Sequence, residues 1–377
     1  MKLRSIQLLR AVAVLLVVYR HCITSRMSVT PTSHFQLLSY PFGSFGVDIF
    51  FVISGFIISY SAGRYIGMTR AKEFLVHRFL RLNPVYYLAT LLLLLIDLHK
   101  LIQLHRTHIT FPVVAKSILL LPLFDGQYWV QALLPPAWSL SFEWLFYLLF
   151  FLAIALQWKN KTSFLLIAGS ILITAGLLLN SRDTRIHFLS NPIMAEFLLG
   201  SALCYCWSRW DLPVLASLVM LAAGIGLCIG EWVMIHNLGQ IGEMSRLVGG
   251  ASSIERTLCW GPPAFLLVAG CVFLEKKGWA IKLWNNKTIG LLGDSSYSIY
   301  LVHLSVIGIC LSIRNHVHID TLPDIDVLLW VLLAVGGGIF FHLLIERPWL
   351  QRIRRRSRPP ASPKDSASYA SSASRSI

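Results

Sequence analysis

The chain has 377 residues, 55% of them hydrophobic and 14% charged, with a mean hydropathy of +0.64. Soluble domains carry about 25% charged residues, so an ordinary soluble enzyme is excluded and a polytopic membrane protein is expected. The formal net charge of +15 does not point to nucleic acid, because the cations sit in short patches between apolar runs and in the tail, placed to face anionic lipid head groups.

Ten apolar segments read as spans: 6–23, 44–62, 83–99, 137–157, 163–180, 191–207, 212–233, 257–274, 289–312 and 326–345. Helices alone suit them, since lipid offers no partner to unpaired backbone groups. The expected fold is therefore all-α, with about ten transmembrane helices over residues 1–350. The segment 111–124 is shorter, carries Lys116 and has prolines near its ends, which marks an interfacial or re-entrant piece. The start lacks a small-residue cleavage site, so the first segment is expected to stay as a helix. With the N-terminus inside, the inner loops hold roughly twice the Lys and Arg of the outer ones, which places both termini in the cytoplasm. Residues 351–377 read as a basic stretch and then a Ser/Ala/Pro-rich disordered tail. The seven cysteines include no CxxC pair; they read as small buried hydrophobes, and no metal site or disulfide framework is indicated. No internal repeat or oligomeric state is readable.

The first span contains "RAVAVLLVVYRH", Arg10 to His21. Eleven residues are close to three helical turns, so both side chains project from one face, about 16 Å apart. A cation at one depth and a titratable imidazole at another could line a pathway across the bilayer. Alternatively, Arg10 snorkels to inner phosphates and His21 sits among the outer head groups.

In "FGVDIFFVISGFIIS" Asp48 lies near the outer end of the second span. It either orients His21, as a carboxylate fixes an imidazole tautomer, or caps its own helix. Gly46 and Gly55 would let helices approach closely. In "HRFLRLNPVYYLAT" Arg78 and Arg81 share a helical face at the inner boundary. They suit bidentate phosphate binding, and positive-inside anchoring accounts for them as well.

Further on, "PPAWSLSFEWLFYLLF" places Glu143 inside a span, after Ser139. An intramembrane carboxylate is a functional candidate by default; Glu196 in "NPIMAEFLLG" is a weaker one. Finally, "GDSSYSIYLVH" carries Asp294, Tyr297, Tyr300 and His303, and "HLLIERPWL" carries His342 and Glu346, four apart on one face.

These stretches, in this order and covering nearly the whole chain up to about Leu350, resemble the integral-membrane acyltransferase 3 family. The chain looks most like its stand-alone members, which O-acetylate exopolysaccharide, O-antigen or lipid-linked sugars. The resemblance implies an acyl-CoA donor, usually acetyl-CoA, used from the cytoplasm of a bacterium across its inner membrane, and a glycan hydroxyl as acceptor. Arg10 and His21 match the family's paired motif; Arg78 and Arg81 match its inner basic motif. Arg20 departs from the apolar or aromatic residue common before the histidine, which bears on the basicity of His21.

Acyl transfer to an alcohol needs a base, oxyanion donors and cations for the donor's phosphates. His21 suits the first task, with Asp48 or Glu143 to orient it. Arg10, Arg78 and Arg81 suit the third. Ser139, Tyr300 or a backbone amide could serve the second. Both a ternary complex and an acyl-enzyme fit the residues. Two other readings stand beside the enzyme. One is a transporter or flippase for a lipid-linked sugar or small anion, with Arg10, Glu143 and His303 as relay groups. The other is an assembly partner in polysaccharide export.

Overall fold

The computed structural model describes residues 3–27, 42–63, 65–98, 110–120, 123–125, 128–130, 132–179, 181, 183–234, 253–279, 285–317 and 322–356. In chain order these form α1 (Arg4–Met27), α2 (Phe42–Ala62), α3 (Met68–Leu98), α4 (Phe111–Ile118), α5 (Ala137–Ala155), α6 (Lys161–Leu179), α7 (Thr184–Leu189), α8 (Met194–Arg209), α9 (Val214–Met234), α10 (Ser253–Lys276), α11 (Lys287–Val317), α12 (Pro323–Phe341) and α13 (Arg347–Arg356). Two three-residue strands, Leu123–Asp125 and Tyr128–Val130, pair antiparallel between α4 and α5.

Among the described residues, nine helical stretches are long and apolar enough to cross a membrane. The predicted span at 191–207 is α8, whose 16 residues reach about 24 Å at 1.5 Å per residue, short of a ~30 Å hydrocarbon core. The six-residue α7 precedes it. The predicted re-entrant piece begins with the eight-residue α4, far too short to cross. Its end is pinned from both sides: Tyr86 Oη on α3 donates to Ser117 O, and Ser141 Oγ on α5 donates to Leu120 O. The basic stretch after the last span stays helical through Arg356; the tail from residue 357 lies outside the described residues.

Burial separates central from peripheral helices. In α2, 67% of the span is buried inside the protein, against 17% in α6 and in α9. The peripheral helices show bare leucines such as Leu178, Leu215 and Leu332, the surface a lipid solvent requires. The central helix is α1, which packs against α2, α10, α11 and α12. Small residues permit the closest crossings. A Cβ added at Gly55 of α2 would run into the Phe197 carbonyl of α8, and one at Gly200 would meet the Val52 carbonyl. Gly46 likewise faces the Ala13 carbonyl of α1.

The polar residues of the spans turn inward. Ser295, Ser296, Ser298 and His303 on α11 are fully buried. Between α12 and α13 the chain makes one π turn, His342–Glu346. The wider turn is a local irregularity of the kind that often accompanies a functional site; here it carries a pocket-lining carboxylate.

Candidate active site

Arg10 projects from α1 toward α11, where its Nε donates to Ser296 Oγ at 3.0 Å. Arg78 and Arg81 project from α3 one turn apart. Arg78 is buried: its Nη2 donates to Ser61 Oγ, and its guanidinium carbon lies 5.1 Å from the Phe74 ring and 5.6 Å from the Tyr147 ring. Those aromatic faces favour a cation that has lost its water. Arg81 is the exposed member of the pair.

Two carboxylates stand in the same space. Glu143 on α5 accepts a hydrogen bond from Tyr147 Oη at 2.5 Å. Glu346, on the π turn, accepts from Ser298 Oγ at 2.6 Å and from His342 Nδ1 at 2.7 Å. All three arginines and both glutamates line one cavity of about 870 Å³, its open mouth included. Three guanidinium groups against two carboxylates leave the cavity electropositive, which suits a polyanionic ligand.

The walls between the charges are apolar, with Phe50, Phe51, Ile53 and Leu140 among them. The cavity also reaches two hydroxyls, Ser139 and Tyr300, which bond each other at 2.9 Å. Both lie within hydrogen-bond reach of the Pro136 carbonyl, at 3.1 and 3.3 Å.

The paired histidines adjoin this hydroxyl end. The His303 ring lies 6.0 Å from the Tyr300 ring and 5.0 Å from the His21 ring. His303 Nε2 is 3.3 Å from His21 Nδ1. His21 Nδ1 is also 2.9 Å from the Val17 carbonyl, one turn back on α1. His21 thus connects with the cavity wall through His303 and Tyr300.

Two expectations are corrected. Asp48 is not the group on His21. Its Oδ1 accepts from Arg256 Nε at 2.9 Å and its Oδ2 from Arg256 Nη2 at 2.6 Å, while Nη2 also reaches the Ser44 carbonyl at 2.9 Å. These side chains are 0% and 2% exposed. The guanidinium fork engages both oxygens of the buried carboxylate and offsets the loss of its water. Glu196, also fully buried, lies beside this pair. Glu143 is likewise held by Tyr147 in the cavity, and the ring that meets His21 is His303.

Sequence alone does not single out Arg256, because it stands one residue before the predicted span at 257–274, where it reads as a loop charge. The signal that would have found it is Asp48 itself, since a carboxylate inside a span demands a cation. Tyr147 and Ser296, which hold Glu143 and Arg10, carried no comparable signal; hydroxyls are ordinary in membrane helices.

A family model described as an acyltransferase domain, acyltransferase 3, matches residues 3–347. The chain belongs to the acyltransferase 3 family. It is therefore a multi-pass membrane acyltransferase. It is similar to the exopolysaccharide production protein ExoZ of Rhizobium meliloti (strain 1021), 30% identical over 319 residues, which cover 83% of this chain and 92% of that protein. Two Staphylococcus aureus proteins (strains COL and MSSA476), each named "Putative O-acetyltransferase", are 26% identical over 296 residues, 71% of this chain. The match covers 46% of each of those two proteins, so this acyltransferase spans about half their length. No solved structure matches.

Proposed function

We propose that this acyltransferase moves an acetyl group from cytoplasmic acetyl-CoA to a hydroxyl of a cell-surface or lipid-linked polysaccharide, in the inner membrane of a bacterium. Both termini are assigned to the cytoplasm on the distribution of Lys and Arg. One observation carries the reading: the cavity that gathers Arg10, Arg78 and Arg81 extends along apolar walls to a hydroxyl pair beside His21 and His303. Such a cavity is charged at one end and reactive at the other, as an extended acyl-CoA is. The exopolysaccharide production named for ExoZ supports a glycan acceptor.

In the proposed reaction Arg10, Arg78 and Arg81 bind the phosphates of the donor. The pantetheine arm lies along the apolar walls, with the thioester toward Tyr300 and Ser139. The acceptor hydroxyl attacks the thioester carbonyl as His21 takes its proton. One of the two hydroxyls donates to the developing oxyanion. The C–O bond forms, the C–S bond breaks, and the proton passes from His21 to the departing thiolate. The products are the O-acetyl sugar and free CoA.

Membrane vesicles given labelled acetyl-CoA and the host glycan test the proposal. Label on the glycan supports it. Flux of an unmodified solute, with no label transferred, refutes it in favour of a carrier.

A further inference from the structure

The donors and acceptors around the two rings leave one arrangement of protons when both are neutral. His303 Nδ1 lies 2.7 Å from the Tyr300 carbonyl and 3.2 Å from the Ile299 carbonyl. Carbonyl oxygens only accept, so Nδ1 carries the proton of His303. Its Nε2 then holds a lone pair, and that lone pair faces His21 Nδ1 at 3.3 Å. His21 Nδ1 also faces the Val17 carbonyl at 2.9 Å. Two acceptors converge on His21 Nδ1, so this nitrogen carries the proton and His21 Nε2 is the unprotonated one. His303 is 0% exposed, so water does not compete for these positions.

We infer that His303 is the positioning residue of this enzyme: it holds the His21 Nδ1–H, keeps the Nε2 lone pair for the acceptor hydroxyl, and steadies the imidazolium that forms. In a serine hydrolase triad that place belongs to a carboxylate. Here a neutral imidazole takes it, itself oriented by the backbone of α11. When His21 gains a proton on Nε2, its Nδ1–H becomes a charged donor, and the bond to His303 Nε2 strengthens. Val17 supplies an acceptor at the same nitrogen, so the two share the work, and loss of His303 leaves a partly oriented base. The imidazolium part of this inference rests on His21 acting as the base; the tautomer does not.

Three variants and one spectrum test it. His303→Leu keeps apolar bulk and removes the acceptor. His303→Gln places an amide oxygen near the position of Nε2. We expect His303→Leu to lower kcat roughly tenfold or more, part of the ~10²–10⁴ that a positioned base contributes, with KM for acetyl-CoA little changed. His303→Gln should recover most of the loss. Equal activity of Leu, Gln and wild type, or equal loss in Leu and Gln, overturns the positioning role. His21→Ala separates the layers: if it retains acetyl transfer, the reading of His21 as base fails. If it is inactive while His303→Leu is fully active, the inference alone fails. Should His303→Leu not accumulate in membranes, nitrogen-15 spectra of histidine-labelled wild type decide. The His21 signal, assigned by its absence in His21→Ala, should show Nδ1 protonated and Nε2 bare at neutral pH. The opposite tautomer overturns the inference whatever the activity.

Discussion

Arg78 and Arg81 differ by three positions and one turn, yet their surroundings assign them different consequences. Arg78 is buried between two rings and Ser61, so Arg78→Ala should cost thermal stability as well as donor affinity. Arg81 is exposed on the cavity wall; Arg81→Ala should leave stability within about 0.5 kcal/mol, as surface changes do. It should raise KM for acetyl-CoA about tenfold, since hydrogen bonds to charged groups contribute about 1.5–3 kcal/mol. Detergent-solubilised melting curves and donor titrations check both. At Asp48 and Arg256 the pair is sealed from solvent. Removing one partner strands a buried charge, at about 3–5 kcal/mol. Asp48→Leu alone should therefore destabilise strongly, and the double variant Asp48→Leu/Arg256→Met should regain part of the loss. A double variant no better than the single one would show that the pair is not coupled. These residues also mark what a sequence can say about a site. Charge inside an apolar run announced Arg10, Glu143 and Asp48. Tyr147 stands one turn from Glu143, but the other partners are remote: 208 residues separate Asp48 from Arg256, 286 separate Arg10 from Ser296, and 282 separate His21 from His303. No local pattern encodes such pairings.

The helices themselves were largely legible, because a span must be satisfied within its own backbone and therefore shows as an apolar run. The exception is α8, where the predicted span begins at Asn191 but the helix starts only at Met194, after a turn in which Asn191 Oδ1 accepts from Ile193 N. Hydropathy does not register such a turn. Element packing, in turn, depends on small residues that hydropathy barely weighs. At the crossing of α2 and α8, Gly55 and Gly200 each lie under the partner's backbone carbonyl. Gly200→Leu should push these helices apart and sharply reduce the folded protein recovered from membranes. Gly226 on α9, where an added Cβ meets nothing within 4 Å, supplies the control: Gly226→Ala should leave the yield unchanged. Equal yields for the two variants would contradict this packing.

Across the whole molecule, α1 lies among α2, α10, α11 and α12, and it carries both Arg10 and His21. In the proposed mechanism, a central helix bearing a cation and an imidazole three turns apart gives one rigid element two addresses, one for phosphate and one for the reacting atoms. The proposed orientation has a consequence for the intact protein. Fluorescent reporters fused to either terminus should mature in the cytoplasm, and periplasm-dependent reporters at the same positions should stay inactive. A periplasmic terminus would reverse the entry side assigned to the donor. The most direct test of the account compares acetyl transfer from labelled acetyl-CoA to host glycan in membranes holding equal amounts of wild type, Arg10→Ala and His21→Ala. The account predicts label on the wild-type glycan and almost none with either variant. Undiminished glycan labelling by both variants would contradict it.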